Sequence, residues 1–189
     1  MTTRKEITKI LKSGGIGVMP TDTIYGLLGR ATNKKTVERI YRVRHRSPEK
    51  PLIIIISSLA DLNSFGIKLP ARDKKVLLKI WPNAVSVILP CMNSKFKYLH
   101  RGTKSLAFRL PNKKWLRDLV AQTGPLVAPS ANPEGESPAD DIKGAKKYFG
   151  DNPDFYYGRG KRISLPSTLI GIKNGQVEVL RQGKAKIER

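Results

Sequence analysis

Apolar residues occur in this chain as short runs that alternate with segments of helical periodicity. The longest run, Leu52–Ile56, is five aliphatic residues, mostly β-branched, and is typical of an interior strand. Further strands are predicted over Ile16–Met19, Val85–Leu89, Leu106–Leu110, Leu126–Ala128 and Phe155–Tyr157. This alternation predicts an α/β fold, a twisted open mixed sheet with flanking helices, and not a helical bundle or a β-sandwich.

Helical spacing of apolar residues, together with capping residues, predicts the helices between these strands. A first helix runs from Thr3 to a stop at Gly14, and a second begins at the N-cap Asn33 and ends before Pro48. Further helices are predicted around Val76–Ile80 and over Lys113–Gln122 and Ala139–Phe149. Thr168–Ile172 and Val177–Leu180 are predicted to form a terminal hairpin, because Asn-Gly lies between them.

The charge is strongly unbalanced, with 36 Lys and Arg against 15 Asp and Glu, a net charge of +21 over 189 residues. Such a chain is expected to form one domain, residues 1–189, with a basic surface that attracts phosphate groups. A general lysine bias of the source would also explain the scattered cations. No run is long enough to cross a membrane, and the single Cys91 excludes an internal disulfide, so we expect a cytoplasmic protein.

Several familiar catalytic arrangements are missing from the sequence. It contains no phosphate-binding Gly-x-x-x-x-Gly-Lys-Ser/Thr loop, no dinucleotide-binding Gly-x-Gly-x-x-Gly and no Gly-x-Ser-x-Gly elbow. His45, His100 and Cys91 are the only His and Cys residues, which argues against a zinc site built by the protein. The same scarcity of His disfavours a Ser-His-Asp hydrolase.

Polar residues instead gather where predicted strands end, the place where α/β proteins commonly bind ligands. Residues 20–27 (PTDTIYGL) follow the first strand, and residues 128–135 (APSANPEG) follow a later one. In the second loop, Ser130 and Asn132 can offer paired hydrogen bonds to a ribose, base or phosphate. Each segment is also compatible with an ordinary loop, in which Asp22 and its neighbouring threonines satisfy their own backbone.

Cations cluster between the second helix and the Leu52 strand, where Arg42, Arg44, Arg46 and Lys50 lie within nine residues. Guanidinium groups match phosphate and carboxylate oxygens, and the strand that follows at once favours a binding site. A solvated basic face is the alternative.

One later strand also carries candidate binding residues. Ser105 and Arg109 alternate onto one face of it, either at a site or on a polar outer face.

In this order, six segments resemble the YrdC-like family, the L-threonylcarbamoyladenylate synthases. The matching segments are PTDTIYGL (20–27), RHRSPEKPL (44–52), SLAFRLP (105–111), PSANPEGESP (129–138), PSTLIGI (166–172) and LRQG (180–183). The resemblance spans nearly the whole chain. Because the sequence ends soon after LRQG, it is most similar to the short, single-domain members.

The resemblance implies a fold with a basic concave surface and a nucleotidyltransferase activity. Members form threonylcarbamoyl-AMP and pyrophosphate from L-threonine, bicarbonate and ATP, with Mg²⁺ carried by ATP and no metal site of the protein's own. Their product serves the N6-threonylcarbamoyl modification of adenosine 37 in tRNA, through downstream transfer proteins. The implied partners are therefore small molecules and tRNA or structured RNA, with no membrane.

The resemblance also assigns residues to the two substrates. Those expected to face ATP are Arg46, Lys50, Ser105, Ser130, Asn132 and Arg181. Thr23, Arg109 and Ser167 are expected to face threonine, with Arg109 holding its carboxylate. Arg44 stands where the family has lysine, and Arg44 and Arg46 are the expected catalytic residues, managing the phosphates or the carbamate.

Other positions depart from the family pattern. WPNAVS at residues 81–86 replaces the usual WPGPLT, and Ile55 and Ala128 stand where many members have polar side chains near threonine. Two alternatives therefore stay open beside the synthase. One is a noncatalytic protein of this fold that binds double-stranded RNA or tRNA through its basic surface, and the other is a paralogue with a different substrate.

Overall fold

A computed structural model describes residues 2–187, in which nine strands form one mixed sheet. The strands are β1 (Ile16–Pro20), β2 (Tyr25–Arg30), β3 (Ile53–Ile55), β4 (Val85–Pro90), β5 (Ser105–Arg109), β6 (Leu126–Val127), β7 (Phe155–Tyr156), β8 (Thr168–Lys173) and β9 (Gln176–Arg181). Their order across the sheet is β7-β1-β2-β6-β3-β5-β4-β8-β9. The pairs β1–β7, β3–β5 and β4–β8 are parallel and the other pairs antiparallel, so the predicted mixed α/β sheet is confirmed.

Six α-helices accompany the sheet in the described part of the chain. They are α1 (Arg4–Lys12), α2 (Lys34–Val43), α3 (Ala71–Ile80), α4 (Lys97–His100), α5 (Lys114–Thr123) and α6 (Ile142–Phe149). Short 3₁₀ helices at Leu59–Phe65 and Ser94–Phe96 and the single turn of α4 were not predicted, since none is long enough to show a hydrophobic period. The helix predicted from Ala139 begins only at Ile142, because Asp141 is its N-cap and accepts a hydrogen bond from the backbone of Gly144.

The strand β2 was missed by the sequence analysis, which assigned its first residues to a loop. Its sequence, YGLLGR, contains two glycines, which weaken the strand signal. Gly29 is needed for packing, because a Cβ there would lie 2.5 Å from the Thr36 side chain and 3.0 Å from that of Ile40. The glycine therefore lets α2 lie directly against the strand.

Both faces of the sheet are apolar, as alternation along each buried strand shows. Val18, Leu27 and Ile54 belong to a large core on one face, whereas their neighbours in sequence, Met19, Leu28 and Ile55, point to the other. On this second face they pack against apolar side chains of α1 and α5, which are Ile7, Leu11, Leu116, Leu119 and Val120. These two helices leave the part of the second face formed by β5, β4 and β8 uncovered.

Candidate active site

A cavity of about 480 Å³ opens on this uncovered part of the second face. Residues of β5 line it through the alternation of the strand, since Ser105, Ala107 and Arg109 face the cavity while Leu106 and Phe108 face the core. Eight of the ten predicted site residues line the cavity, and they are Thr23, Arg44, Arg46, Ser105, Arg109, Ser130, Ser167 and Arg181. The fold thus brings residues from distant parts of the sequence into one pocket.

The turn that ends α2 carries two of these residues, Arg44 and Arg46. His45 between them has a left-handed backbone, with φ of 48°. Its N–H donates to the carbonyl of Arg42 and the N–H of Arg46 donates to that of Tyr41, at 3.1 and 3.0 Å. These two bonds form a Schellman motif, which stops the helix and fixes the positions of both arginines.

Arg44 is buried and holds the loop that follows β6. Its Nε donates to the Asn132 carbonyl at 2.8 Å, and its Nη2 makes longer contacts with Ser130 Oγ (3.3 Å) and Asn132 Oδ1 (3.4 Å). Nη1 is buried without a hydrogen-bond partner in residues 2–187. Burial, reinforced by the nearby charge of Arg46, lowers the pKa of Arg44 to about 10. The Arg44 guanidinium group therefore keeps one donor for which the described residues supply no acceptor.

Arg46 is held by the backbone that leads into β3. Its Nε donates to the Lys50 carbonyl at 3.1 Å and its Nη2 to the Pro51 carbonyl at 3.2 Å. The hydroxyl of Tyr41 donates to the same Lys50 carbonyl at 2.9 Å. These contacts use one edge of the Arg46 guanidinium group and direct the group along the cavity wall.

Lys50 and Asn132 do not line the cavity. The Lys50 ammonium forms an ion pair with Glu134, whose carboxylate also accepts from the backbone of Ser47. The hydrogen bonds from Lys50 and Ser47 lower the pKa of Glu134. The Asn132 amide donates to the carbonyls of Pro133 and Glu136, at 2.8 and 2.7 Å. Lys50 thus joins the loop after α2 to the loop after β6. The Asn132 amide braces its own loop, and its two oxygens link that loop to the end of α2 by accepting from Arg44.

Another part of the cavity is built by Thr23, Arg109 and Ser167, all of them buried. Ser167 shares a hydrogen bond of 2.8 Å with Ser86 of β4, and its carbonyl accepts from Arg181 at 2.8 Å. Thr23 Oγ1 lies 3.1 Å from Thr21 Oγ1. The hydroxyls of Thr23 and Ser167 and the Arg109 guanidinium group therefore converge here, with Arg181 beside them, and this arrangement suits a small ligand that carries a carboxylate.

Asp22 is a site residue that sequence reasoning treated only as part of a turn. The Thr21 hydroxyl does bond to the backbone of that turn, since it donates to the Ile24 carbonyl at 2.7 Å, but the Asp22 carboxylate makes no hydrogen bond to it. Its carboxylate lies 3.0 Å from Arg109 Nη2, and both side chains are 4% exposed. Burial lowers the pKa of Arg109, and Asp22 opposes this effect. The sequence carries no signal for this pair, because Asp22 and Arg109 are 87 positions apart and meet only in the folded protein.

Other cavity residues were not singled out either. Thr103, Tyr25 and Pro138 line the cavity. Ala128, which the sequence did single out as a position near threonine, lines it as well. Ile55, by contrast, packs in the core beneath α1 and α5. Residues 2–187 contain no group of three His, Cys, Asp or Glu side chains that could hold a metal ion, and no helix among them is long and apolar enough to span a bilayer.

Comparisons with known proteins agree with this architecture. The family model of Sua5, YciO and YrdC, described as "Telomere recombination", matches residues 9–183. The threonylcarbamoyl-AMP synthase of Marinobacter nauticus is 33% identical over 167 residues, 87% of this chain and 88% of that protein. The Bacillus subtilis protein of the same name is 29% identical over 177 residues, 92% of this chain. The chain spans only 51% of the length of that second relative.

Solved structures show the same fold. Pyrococcus abyssi Sua5 complexed with L-threonine matches with a TM-score of 0.85 and 25% identity, over 95% of this chain and 54% of that one. Escherichia coli YciO matches with a TM-score of 0.83 and 22% identity, over 97% of this chain and 90% of that one.

Proposed function

This chain belongs to the Sua5/YciO/YrdC family, and from that premise we propose that it is an L-threonylcarbamoyladenylate synthase. The reaction joins L-threonine, bicarbonate and ATP into threonylcarbamoyl-AMP and releases pyrophosphate. Relatives named threonylcarbamoyl-AMP synthase and a Sua5 structure that holds L-threonine support this choice.

The observation that carries the proposal is that one cavity holds two different sets of binding groups. Arg44, Arg46 and Ser130 form a set suited to phosphates, and Arg109 and Ser167 belong to a set suited to an amino acid. A volume of about 480 Å³ lies within the range of small-molecule sites, roughly 300–1,000 Å³. Two substrates bound side by side could therefore react without leaving the cavity.

The chemistry needs charge stabilisation more than a strong base. Bicarbonate takes up a proton and loses water to give CO₂. The threonine amine adds to CO₂ and releases a proton to give a carbamate, and a carbamate oxygen then attacks the α-phosphorus of ATP while pyrophosphate leaves. Negative charge accumulates on the phosphates, so the guanidinium groups of Arg44 and Arg46 would stabilise the transition state. Mg²⁺ would arrive on the ATP phosphates.

The remaining assignments follow the same division. Lys50, Ser105, Asn132 and Arg181 would complete the ATP side, with Lys50 and Asn132 acting through the loops that they join. Thr23 and Ser167 would bind threonine beside Arg109. The product would be passed to proteins that transfer the threonylcarbamoyl group to adenosine 37 of tRNA, in the cytoplasm.

Arg44 in place of lysine fits this scheme in a particular way. Its Nε and Nη2 hold the loop of Ser130 and Asn132, which a lysine ammonium could not do with the same geometry. Nη1 remains for a phosphate or carbamate oxygen. Arg44 would thus combine a binding role with the support of its neighbours.

The test is to incubate the purified protein with ATP, Mg²⁺, bicarbonate and one amino acid at a time. Mass spectrometry should detect pyrophosphate and a carbamoyl-adenylate with threonine, and no adduct when bicarbonate is omitted. Arg109→Ala should weaken the binding of threonine far more than the binding of ATP. Arg72→Ala, at an exposed arginine, is the matched control.

The outcome also separates the alternatives. Folded protein that forms no adduct with any amino acid would refute the synthase. RNA binding that is sensitive to salt and unaffected by ATP or threonine would then identify the noncatalytic RNA-binding protein. An adduct with another amino acid would identify the paralogue.

A further inference from the structure

We propose that Asp22 is a positioning residue, which holds the Arg109 guanidinium group in the orientation that receives the carboxylate of the amino-acid substrate. The role of the substrate carboxylate rests on the proposed function, but the contact between the two side chains does not. Asp22 is absent from the cavity wall, although both of its neighbours, Thr21 and Thr23, line it. It therefore acts from behind the arginine.

The contact itself is a buried and isolated ion pair. Asp22 Oδ1 lies 3.0 Å from Arg109 Nη2. Within residues 2–187, no donor meets either carboxylate oxygen with hydrogen-bond geometry, and Arg109 Nε likewise lacks an acceptor. The pair is thus an end-on contact at one corner of the guanidinium group. The group keeps donors for a second carboxylate, because it carries five N–H groups in a planar fork.

The surrounding charges explain why Arg109 needs this partner. Burial disfavours the charged form of Arg109, and the nearby charge of Arg181 adds a smaller effect in the same direction. Asp22 is the one carboxylate that the described residues place against Arg109. Without Asp22, the buried Arg109 would have the Arg181 cation beside it and no carboxylate to hold its guanidinium group in place.

The backbone of Asp22 is itself fixed on two sides. The N–H of Thr21 donates to the carbonyl of Ile24 at 3.0 Å, which closes the turn between β1 and β2. Lys184, near the end of the described chain, donates through Nζ to the Asp22 carbonyl at 3.1 Å. The backbone that carries the Asp22 carboxylate is therefore held by the protein and does not depend on a ligand for its position.

The experiment combines a measurement of Arg109 with a measurement of binding. NMR would follow the Nε–Hε signal of Arg109, identified by its loss in Arg109→Gln, and calorimetry would measure binding of L-threonine and, separately, of ATP. Asp22→Asn removes the charge and keeps the shape, and Asp118→Asn on the exposed Lys114–Asp118 pair is the matched control.

We expect Asp22→Asn to speed rotation and exchange of the Arg109 group. We also expect threonine to bind about tenfold more weakly or worse, as displaced positioning groups commonly cause. ATP affinity should fall much less than threonine affinity, because the Asp22 carboxylate pairs with Arg109 and with none of the residues assigned to ATP. Asp118→Asn should change none of these.

The double variant D22N/R109Q keeps the test decisive if the single variant unfolds, because it removes both buried charges. If Asp22 acts through Arg109, adding Asp22→Asn to Arg109→Gln costs no further threonine affinity. An unchanged Arg109 signal in Asp22→Asn, or a further loss in the double variant, would overturn the proposal. If the native protein binds no threonine, the proposed function fails, and the Arg109 signal alone decides the role of Asp22.

Discussion

Replacing His45 by glycine should make the protein more stable, although His45 stands between two arginines of the candidate site. The imidazole is exposed and its backbone has a φ of 48° at the C′ position of the Schellman motif. A residue with a Cβ loses roughly 1–2 kcal/mol in this conformation. Glycine adopts this conformation freely, but its greater entropy in the unfolded chain lowers the stability of the folded protein by about 0.5–1 kcal/mol.

The difference predicts a net gain of about 0.5–1 kcal/mol for His45→Gly. For a chain of this size, about 1 kcal/mol raises the melting temperature by roughly 2–4 °C, so calorimetry should find a rise of about 1–4 °C. Nucleotide binding should be unchanged, because the two hydrogen bonds of the motif still place Arg44 and Arg46.

His45→Ala is the matched control, since alanine also lacks the imidazole but keeps the Cβ. His45→Ala should show no gain in stability, so the free energy of unfolding of the glycine variant should exceed that of the alanine variant by about 0.5–1 kcal/mol. Equal stability of the two variants in urea unfolding would refute the argument from backbone strain.

Three further predictions concern close packing and charge. Gly17→Ala would place a Cβ 2.2 Å from the Phe155 ring and should lower the free energy of unfolding in urea by about 1–3 kcal/mol. In the control Gly171→Ala the nearest atom lies at 3.9 Å, so its free energy of unfolding should change by less than about 0.5 kcal/mol. Equal losses in the two variants would contradict this prediction. Gly183→Ala would meet backbone oxygen at 2.4 Å in the cavity wall, so calorimetry should find weaker threonine binding in folded protein, and native affinity would count against it. The lowered pKa of Glu134 means that its carboxylate stabilises the fold above its ordinary pKa of 4.5 and loses this effect as pH falls through the folded value. Glu134→Gln should therefore be less stable at pH 7 and lose less stability on acidification, and parallel pH profiles would refute this.

Much of the fold could be predicted because local rules and the final packing agree. Asn33 caps α2 and accepts from the backbone of Thr36, as expected. Asn174 and Gly175 both have positive φ and join β8 to β9, as the hairpin signal requires. The strand β7, which its short aromatic run predicts, is present and lies at a sheet edge. Strand β2 escaped detection because its two glycines weaken the strand signal, and one of them, Gly29, serves a contact with α2 that lies outside the strand's own sequence.

The candidate site was predictable as a set of segments but not as a set of contacts. Motifs that follow strands do meet at one cavity, since the sheet brings their ends together. The sequence could not reveal that Lys50 would pair with Glu134, 84 positions away, or that Asp22 would face Arg109. Such choices depend on which side chains the tertiary structure makes neighbours.

The two residues of β6 have a consequence for how binding affects the sheet. They form a narrow waist between the β7-β1-β2 part and the larger part from β3 to β9, with two paired positions on each side. The cavity straddles this waist, since Thr23 and Arg44 follow strands β1 and β2 while Arg109 and Ser167 belong to the larger part. A ligand that contacts residues of both parts of the sheet links them, so its binding energy also opposes their separation at β6. Slower amide exchange in β6 would be the signature of an occupied cavity.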